Sequence, residues 1–170
     1  MESRAKAFGH AIHPMLIVFP LGLLSTAVVF DILWLITHRV SFPVAASYAI
    51  AAGIVGGLLA AVFGLVDWLA IPAGTRAKRV GLLHGVGNVV VVALFAVSWL
   101  LRWAAGNGWR PNAAALVCGF AGVLLASLTG WLGGELVERL RVGVDDGADL
   151  NAPSSLARHP ASDRGMRAAH

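Results

Sequence analysis

Apolar residues in this chain fall into four long runs, at about residues 14–37, 44–71, 80–103 and 113–138, separated by short polar or glycine- and proline-containing segments. Each run exceeds the roughly 20 residues that a helix needs to cross a bilayer core. None shows the strict alternation of a membrane barrel strand. The first run is interrupted only by Asp31, and it is too long, and lacks the small-residue cleavage site, to be a secretory signal. His38 to Pro43 closes it, Pro72-Ala73-Gly74 closes the second, and Gly106, Gly108 and Pro111 mark the turn after the third. The pattern predicts an all-α integral membrane four-helix bundle over residues 1–142. Residues 143–170 turn polar, with Asp145, Asp146, Asp149, Pro153 and Pro160, and are expected to form a disordered cytoplasmic tail. No sustained repeat of the solenoid or propeller kind is visible.

Two prolines shape the first run. Pro14 suits the first helical position, where its missing N–H would have had no partner, so the helix is expected to begin there. Pro20 lies inside the span and predicts a kink, which neighbouring helices must cover. The second run is rich in small residues, Gly53, Gly57, Ala60, Ala61 and Gly64, which permit close approach of another helix.

Composition supports the membrane reading: 58% of residues are hydrophobic and 13% charged. The net charge of +4 reflects topology rather than nucleic-acid binding. Arg4, Lys6, Arg76, Lys78, Arg79, Arg139 and Arg141 fall on one side of the predicted spans, against Arg39, Arg102 and Arg110 on the other. The positive-inside rule then predicts a multi-pass plasma-membrane protein with both termini in the cytoplasm. Cys118 is the only cysteine, which excludes an intramolecular disulfide and a cysteine-ligated cluster.

With alternating helix directions, His13, Asp67, His84, Asn88 and Glu135 all come within about two turns of the cytoplasmic boundary. An ionisable residue inside a span costs about 2.5–3.5 kcal/mol on insertion scales, so such residues turn inward and find partners. Asp31 is expected to pair with Arg39, Arg102 or Arg110, and Asp67 with a cation such as Arg76 or a protonated histidine. Three functions fit the cluster. The first is a b-type haem or other redox carrier module, with His13 and His84 as axial ligands, Asn88 nearby and Arg76 on a propionate; Gly57, Gly81, Gly85 and Gly134 would leave room for the macrocycle. The second is a divalent-metal site for binding or transport, built from His13, Asp67, His84 and Glu135. The third is a non-enzymatic assembly subunit, in which the polar groups only fix helix register. A redox partner protein or a second copy of the chain is the partner these readings call for, together with the lipid bilayer. No phosphate-binding loop, nucleophile elbow or H-E-x-x-H signature is present.

Three segments carry a family resemblance: His13-Pro14-Met15-Leu16-Ile17-Val18-Phe19-Pro20-Leu21-Gly22, His84-Gly85-Val86-Gly87-Asn88, and the stretch from Gly130 to Glu138 followed by Val142-Gly143-Val144. In this order, from about Gly9 to Val144, the chain resembles the domain of unknown function 2231 family of small bacterial membrane proteins. The resemblance implies a four-span membrane protein without an established activity, in a family some of whose members are joined to Rieske-type iron–sulfur domains. A lone Cys118 does not supply such a cluster. The family pattern often has tyrosine where Glu138 stands, so Glu138 is assigned no role.

Overall fold

The computed structural model describes residues 1–157. Strands β1 (Lys6–Ala7) and β2 (His10–Ala11) form a small antiparallel hairpin, with Lys6 opposite Ala11 and Ala7 opposite His10. Four helical spans follow: α1 (Ile12–Leu16) with α2 (Val18–Thr37), then α3 (Ser41–Ala70), α4 (Arg76–Ala104) and α5 (Ala113–Gly134). A π-helical turn, Glu135–Arg139, extends the last one.

Local chemistry sets these boundaries. The first span begins at Ile12, whose N–H donates to the Ala5 carbonyl at 2.9 Å, so Pro14 sits in the first turn rather than at its start. Prolines are tolerated throughout that turn because its N–H groups have no intrahelical acceptor. The expected kink is a break at Ile17 between α1 and α2. Pro20 has no N–H to give the Leu16 carbonyl and its ring crowds that oxygen, so the helical ladder fails one turn earlier. Helix α4 starts at Arg76 instead of Val80, because Thr75 accepts the Lys78 N–H at 3.1 Å and caps it. Asn112 caps α5 in the same way, taking the Ala115 N–H at 2.8 Å.

Helix α2 packs on α3 and α5, and α4 packs on the same two, which leaves α2 and α4 facing each other across the diagonal. The core is Leu24, Ala27, Val28, Ala46, Ala49, Ile50, Val91 and Phe95. Large apolar side chains are also exposed all round the bundle, among them Phe19, Leu58, Val89, Val117 and Leu124. A water-soluble bundle would carry charge on that surface. Here the four spans are long and apolar enough to cross a membrane.

The two helical hairpins repeat each other's contacts. Gly53 lies against Leu24, where an added Cβ would meet Cδ2 at 2.6 Å; Gly122 lies against Phe95, where it would meet Cε2 at 2.7 Å. Buried Ala46 and Ala115 correspond, as do buried Ala27 and Ser98. Asp31 and Arg102 are equivalent positions 71 residues apart, and they are bonded to each other. Hairpins that both start from the same side are parallel repeats, related by an axis along the membrane normal. Two copies with few identities are not a repeat of the solenoid or propeller kind, and they produce no periodic signal in the sequence.

The end of the bundle that holds both described chain ends carries a strap. The Ser3 hydroxyl and the Arg4 N–H each reach the Asp67 carboxylate at 2.8 Å. Lys6 bridges Glu2 at 2.6 Å and Asp145 at 3.4 Å. The Lys6 hydrogen bond holds the Glu2 carboxyl below the usual carboxylate range. The Gly143 N–H donates to the Met1 carbonyl at 2.9 Å, and Ser155 Oγ lies 3.3 Å from His10 Nε2. Thus the described part of the polar tail, residues 143–157, runs against the N-terminal segment; residues 158–170 lie outside the described residues.

At the opposite end, Asp31 meets Arg102 through two bonds of 2.8 and 2.6 Å. Their side chains are 2% and 0% exposed. Arg102 Nε also donates to Ser98 Oγ at 3.4 Å, and Ser98 donates to the Ala115 carbonyl at 2.7 Å. Removing one member of such a pair leaves an uncompensated buried charge, at a cost of about 3–5 kcal/mol. Asp31→Asn and Arg102→Met are each expected to lower stability by about that amount, measured by reversible unfolding in mixed micelles. The double variant is expected to cost less than either single change, since no charge is then stranded. Additive single effects would show that the pair acts independently at its two ends.

Candidate functional site

His13, in the first turn of α1, and His84, about two turns into α4, are equivalent positions of the two hairpins, and the bundle brings their rings together at a centroid distance of 6.2 Å, edge to face. Each is held in the same way. His13 Nδ1 donates to the Ala60 carbonyl of α3 at 2.8 Å, and His84 Nδ1 donates to the Thr129 carbonyl of α5 at 2.8 Å. A backbone carbonyl only accepts, so the proton of each neutral ring is on Nδ1 and Nε2 keeps its lone pair.

Glycine makes both approaches possible. A Cβ on Gly64 would come within 2.9 Å of the His13 ring, and one on Gly133 within 3.2 Å of the His84 ring. Gly64 stands one turn after Ala60, and Gly133 one turn after Thr129, so each histidine is seated on a carbonyl and a glycine of its partner helix. These four acceptor and seat positions carry no chemical signature of their own. The usable signal was relational: the two histidine-to-glycine intervals nearly match.

A polar chain continues from His84. Asn88 Nδ2 donates to His84 Nε2 at 3.2 Å and to its carbonyl at 2.9 Å. Thr129 Oγ1 lies 3.0 Å from Asn88 Oδ1 and 3.1 Å from the Ala126 carbonyl, to which its one hydrogen is shared.

Beside the two rings is a cavity of about 130 Å³. Its wall is almost wholly apolar, with Pro20, Leu24, Val91, Val92, Phe95 and Ala126 prominent, and His13, His84, Asn88, Thr129 and Ser25 supplying the polar groups. Equivalent residues from the two hairpins line it, Leu24 and Phe95 as well as Gly57 and Ala126. The cavity therefore lies where the repeats meet. Ile17, Leu21, Ala61 and Gly130 also line it and are themselves exposed on the surface of the bundle.

The remaining expected site residues lie elsewhere. Asp67 pairs with neither Arg76 nor a histidine. Its carboxylate is taken by Ser3 and by the backbone of Arg4 and Ala5, because the N-terminal segment folds back over the end of α3. Glu135 and Arg76 bond each other at 2.7 Å. Consequently His13, Asp67, His84 and Glu135 do not converge, and among the described residues no three His, Cys, Asp or Glu side chains form a metal-holding group.

Haem does not fit this arrangement either. Asn88 occupies His84 Nε2, and Arg76 is engaged by Glu135. Of the glycines expected to make room, only Gly57 lines the cavity; Gly81 instead packs on Trp68, and Gly85 and Gly134 face open space. A cavity of about 130 Å³ resembles the roughly 150 Å³ that admits one benzene, far short of a tetrapyrrole.

No curated protein and no solved structure matches the chain. The family described as Predicted membrane protein (DUF2231) matches residues 9–146, a stretch that takes in all four spans, both histidines and the cavity between them, and the chain belongs to that family.

Proposed function

We propose that this membrane protein is a binding module for a small, ring-sized and largely apolar molecule that enters from the bilayer. The observation that carries the reading is the cavity at the meeting of the two hairpins, with its apolar wall, its polar histidine end and its exposed rim at Ile17, Leu21, Ala61 and Gly130. Apolar pockets with a few convergent polar groups are where small ligands bind, the polar groups fixing orientation. The rim lies about nine residues from the end of α3, or roughly 14 Å along the helix, well within the hydrocarbon layer. Lipid-soluble molecules are concentrated there.

Of the earlier functional readings, a redox carrier survives only in the form of a lipid-soluble organic carrier held in this cavity. Haem and a multidentate metal are disfavoured by the size of the cavity and by the partners of Asp67, Arg76 and Glu135. In this reading the protein sits in the plasma membrane with both termini cytoplasmic, as the distribution of Arg and Lys favours.

Fluorine NMR of purified protein with para-fluorotoluene tests the binding reading. A shifted, saturable resonance is expected, and probe at 100 times its Kd should stabilise the fold by about 2.7 kcal/mol. Ala126→Leu fills the cavity and should abolish both effects. Binding unchanged in Ala126→Leu, or a Soret band in gently purified protein that disappears in His13→Ala, would overturn the reading.

Orientation is tested separately with a reporter fused at Asn107, in the turn between α4 and α5. It should report a non-cytoplasmic position; cytoplasmic activity would reverse the assignment.

A further inference from the structure

The two half-sites repeat each other except at one point. One turn after His84 stands Asn88, whose amide occupies His84 Nε2 at 3.2 Å. One turn after His13 stands Ile17, which has no donor to offer. The Thr129 hydroxyl that supports the Asn88 side chain likewise corresponds to Ala60, which has no hydroxyl. His84 therefore has both ring nitrogens engaged by the protein. His13 has only Nδ1 engaged, and among the described residues no group bonds its Nε2.

Both rings line the cavity, so the divergence leaves His13 Nε2 as a hydrogen-bonding position for an incoming molecule, on a wall that also carries the Ser25 hydroxyl. The character of that position follows from the tautomer. In the neutral ring, with Nδ1 giving its proton to the Ala60 carbonyl, Nε2 is an acceptor. A ketone or ether set against it would oppose two lone pairs, whereas a hydroxyl would complete the bond.

We infer that His13 is the ligand-contacting residue and that the cavity selects a hydroxyl-bearing aromatic ring, of the class of phenols and hydroquinones. The O–H donates to His13 Nε2 and the ring lies among Pro20, Leu24, Val92, Phe95 and Ala126. His84, Asn88 and Thr129 position His13 through the edge contact between the rings and take no ligand bond themselves. The inference rests on the cavity reading above and adds to it the ligand's donor group and the residue that receives it.

The test compares para-fluorophenol with para-fluorotoluene, which differ in a hydroxyl for a methyl, on the full chain in micelles, with the cavity-filled Ala126→Leu protein as the partition control. The phenol is expected to bind about five- to tenfold more tightly, the worth of one buried neutral hydrogen bond. Ile17→Asn copies the arrangement around His84 and should cap His13 Nε2, erasing the preference while para-fluorotoluene still binds. His13→Phe keeps a ring and removes the acceptor, and should do the same should Ile17→Asn fail to fold. Equal affinity of both probes in the wild-type protein, or a preference that persists in a folded Ile17→Asn or His13→Phe protein, overturns the inference while the cavity reading stands. Failure of both probes to bind overturns the two together.

Discussion

The ion pair between Asp31 and Arg102 governs the register of this bundle. A carboxylate and a guanidinium that are almost completely buried have no alternative partner in an apolar layer, so α2 and α4 settle at the one relative height where the two bonds form. Depth at the other end of the bundle follows from that constraint. His13 precedes Asp31 by as many residues as His84 precedes Arg102, so the rings, about 27 Å away along the helices, arrive at the same level. One polar contact across the diagonal at each end, with an apolar core between them, leaves little freedom for the helices to slide.

At the histidine end, backbone chemistry takes over from charge. Each imidazole is seated on a carbonyl, and each seat is opened by a glycine one turn further on. Two copies of the same seat do not make two equal sites, because Asn88 closes one ring and Ile17 leaves the other open. An apolar cavity between parallel repeats, with the unbonded His13 Nε2 on its wall, is a setting for a ring that carries a hydroxyl. The strap formed by the N-terminal segment and residues 143–157 covers the same end of the molecule and uses Asp67 as its anchor.

Much of the fold was legible because bilayer constraints are strict. Apolar runs of spanning length, closed by Pro72 and Gly74 or by Gly106, Gly108 and Pro111, leave few alternatives to four helices. The kink at Pro20 and the inward turn of Asp31 follow from a missing N–H and from the cost of a buried charge, both local properties. The site was only half legible. His13, His84 and Asn88 were recognisable as polar groups at a common depth, and the structure does bring them together. Asp67 and Glu135 share that depth, but depth says nothing about direction around a helix axis, and their partners were set by the folding of the strap and by Arg76. The carbonyls of Ala60 and Thr129 were invisible, since every residue has one. Only the matched spacing of the two hairpins could have pointed to them.

The central claim is that two neutral imidazoles, each protonated at Nδ1, meet edge to face between the repeats. Nitrogen NMR of histidine-labelled protein in bilayers tests it directly, with His13→Phe and His84→Phe used to assign the signals. Both rings should show a protonated Nδ1 and a lone-pair Nε2, with through-space correlations between the two rings consistent with centroids 6.2 Å apart. Protonation at Nε2 in either ring, or two rings without a mutual correlation, would contradict the account.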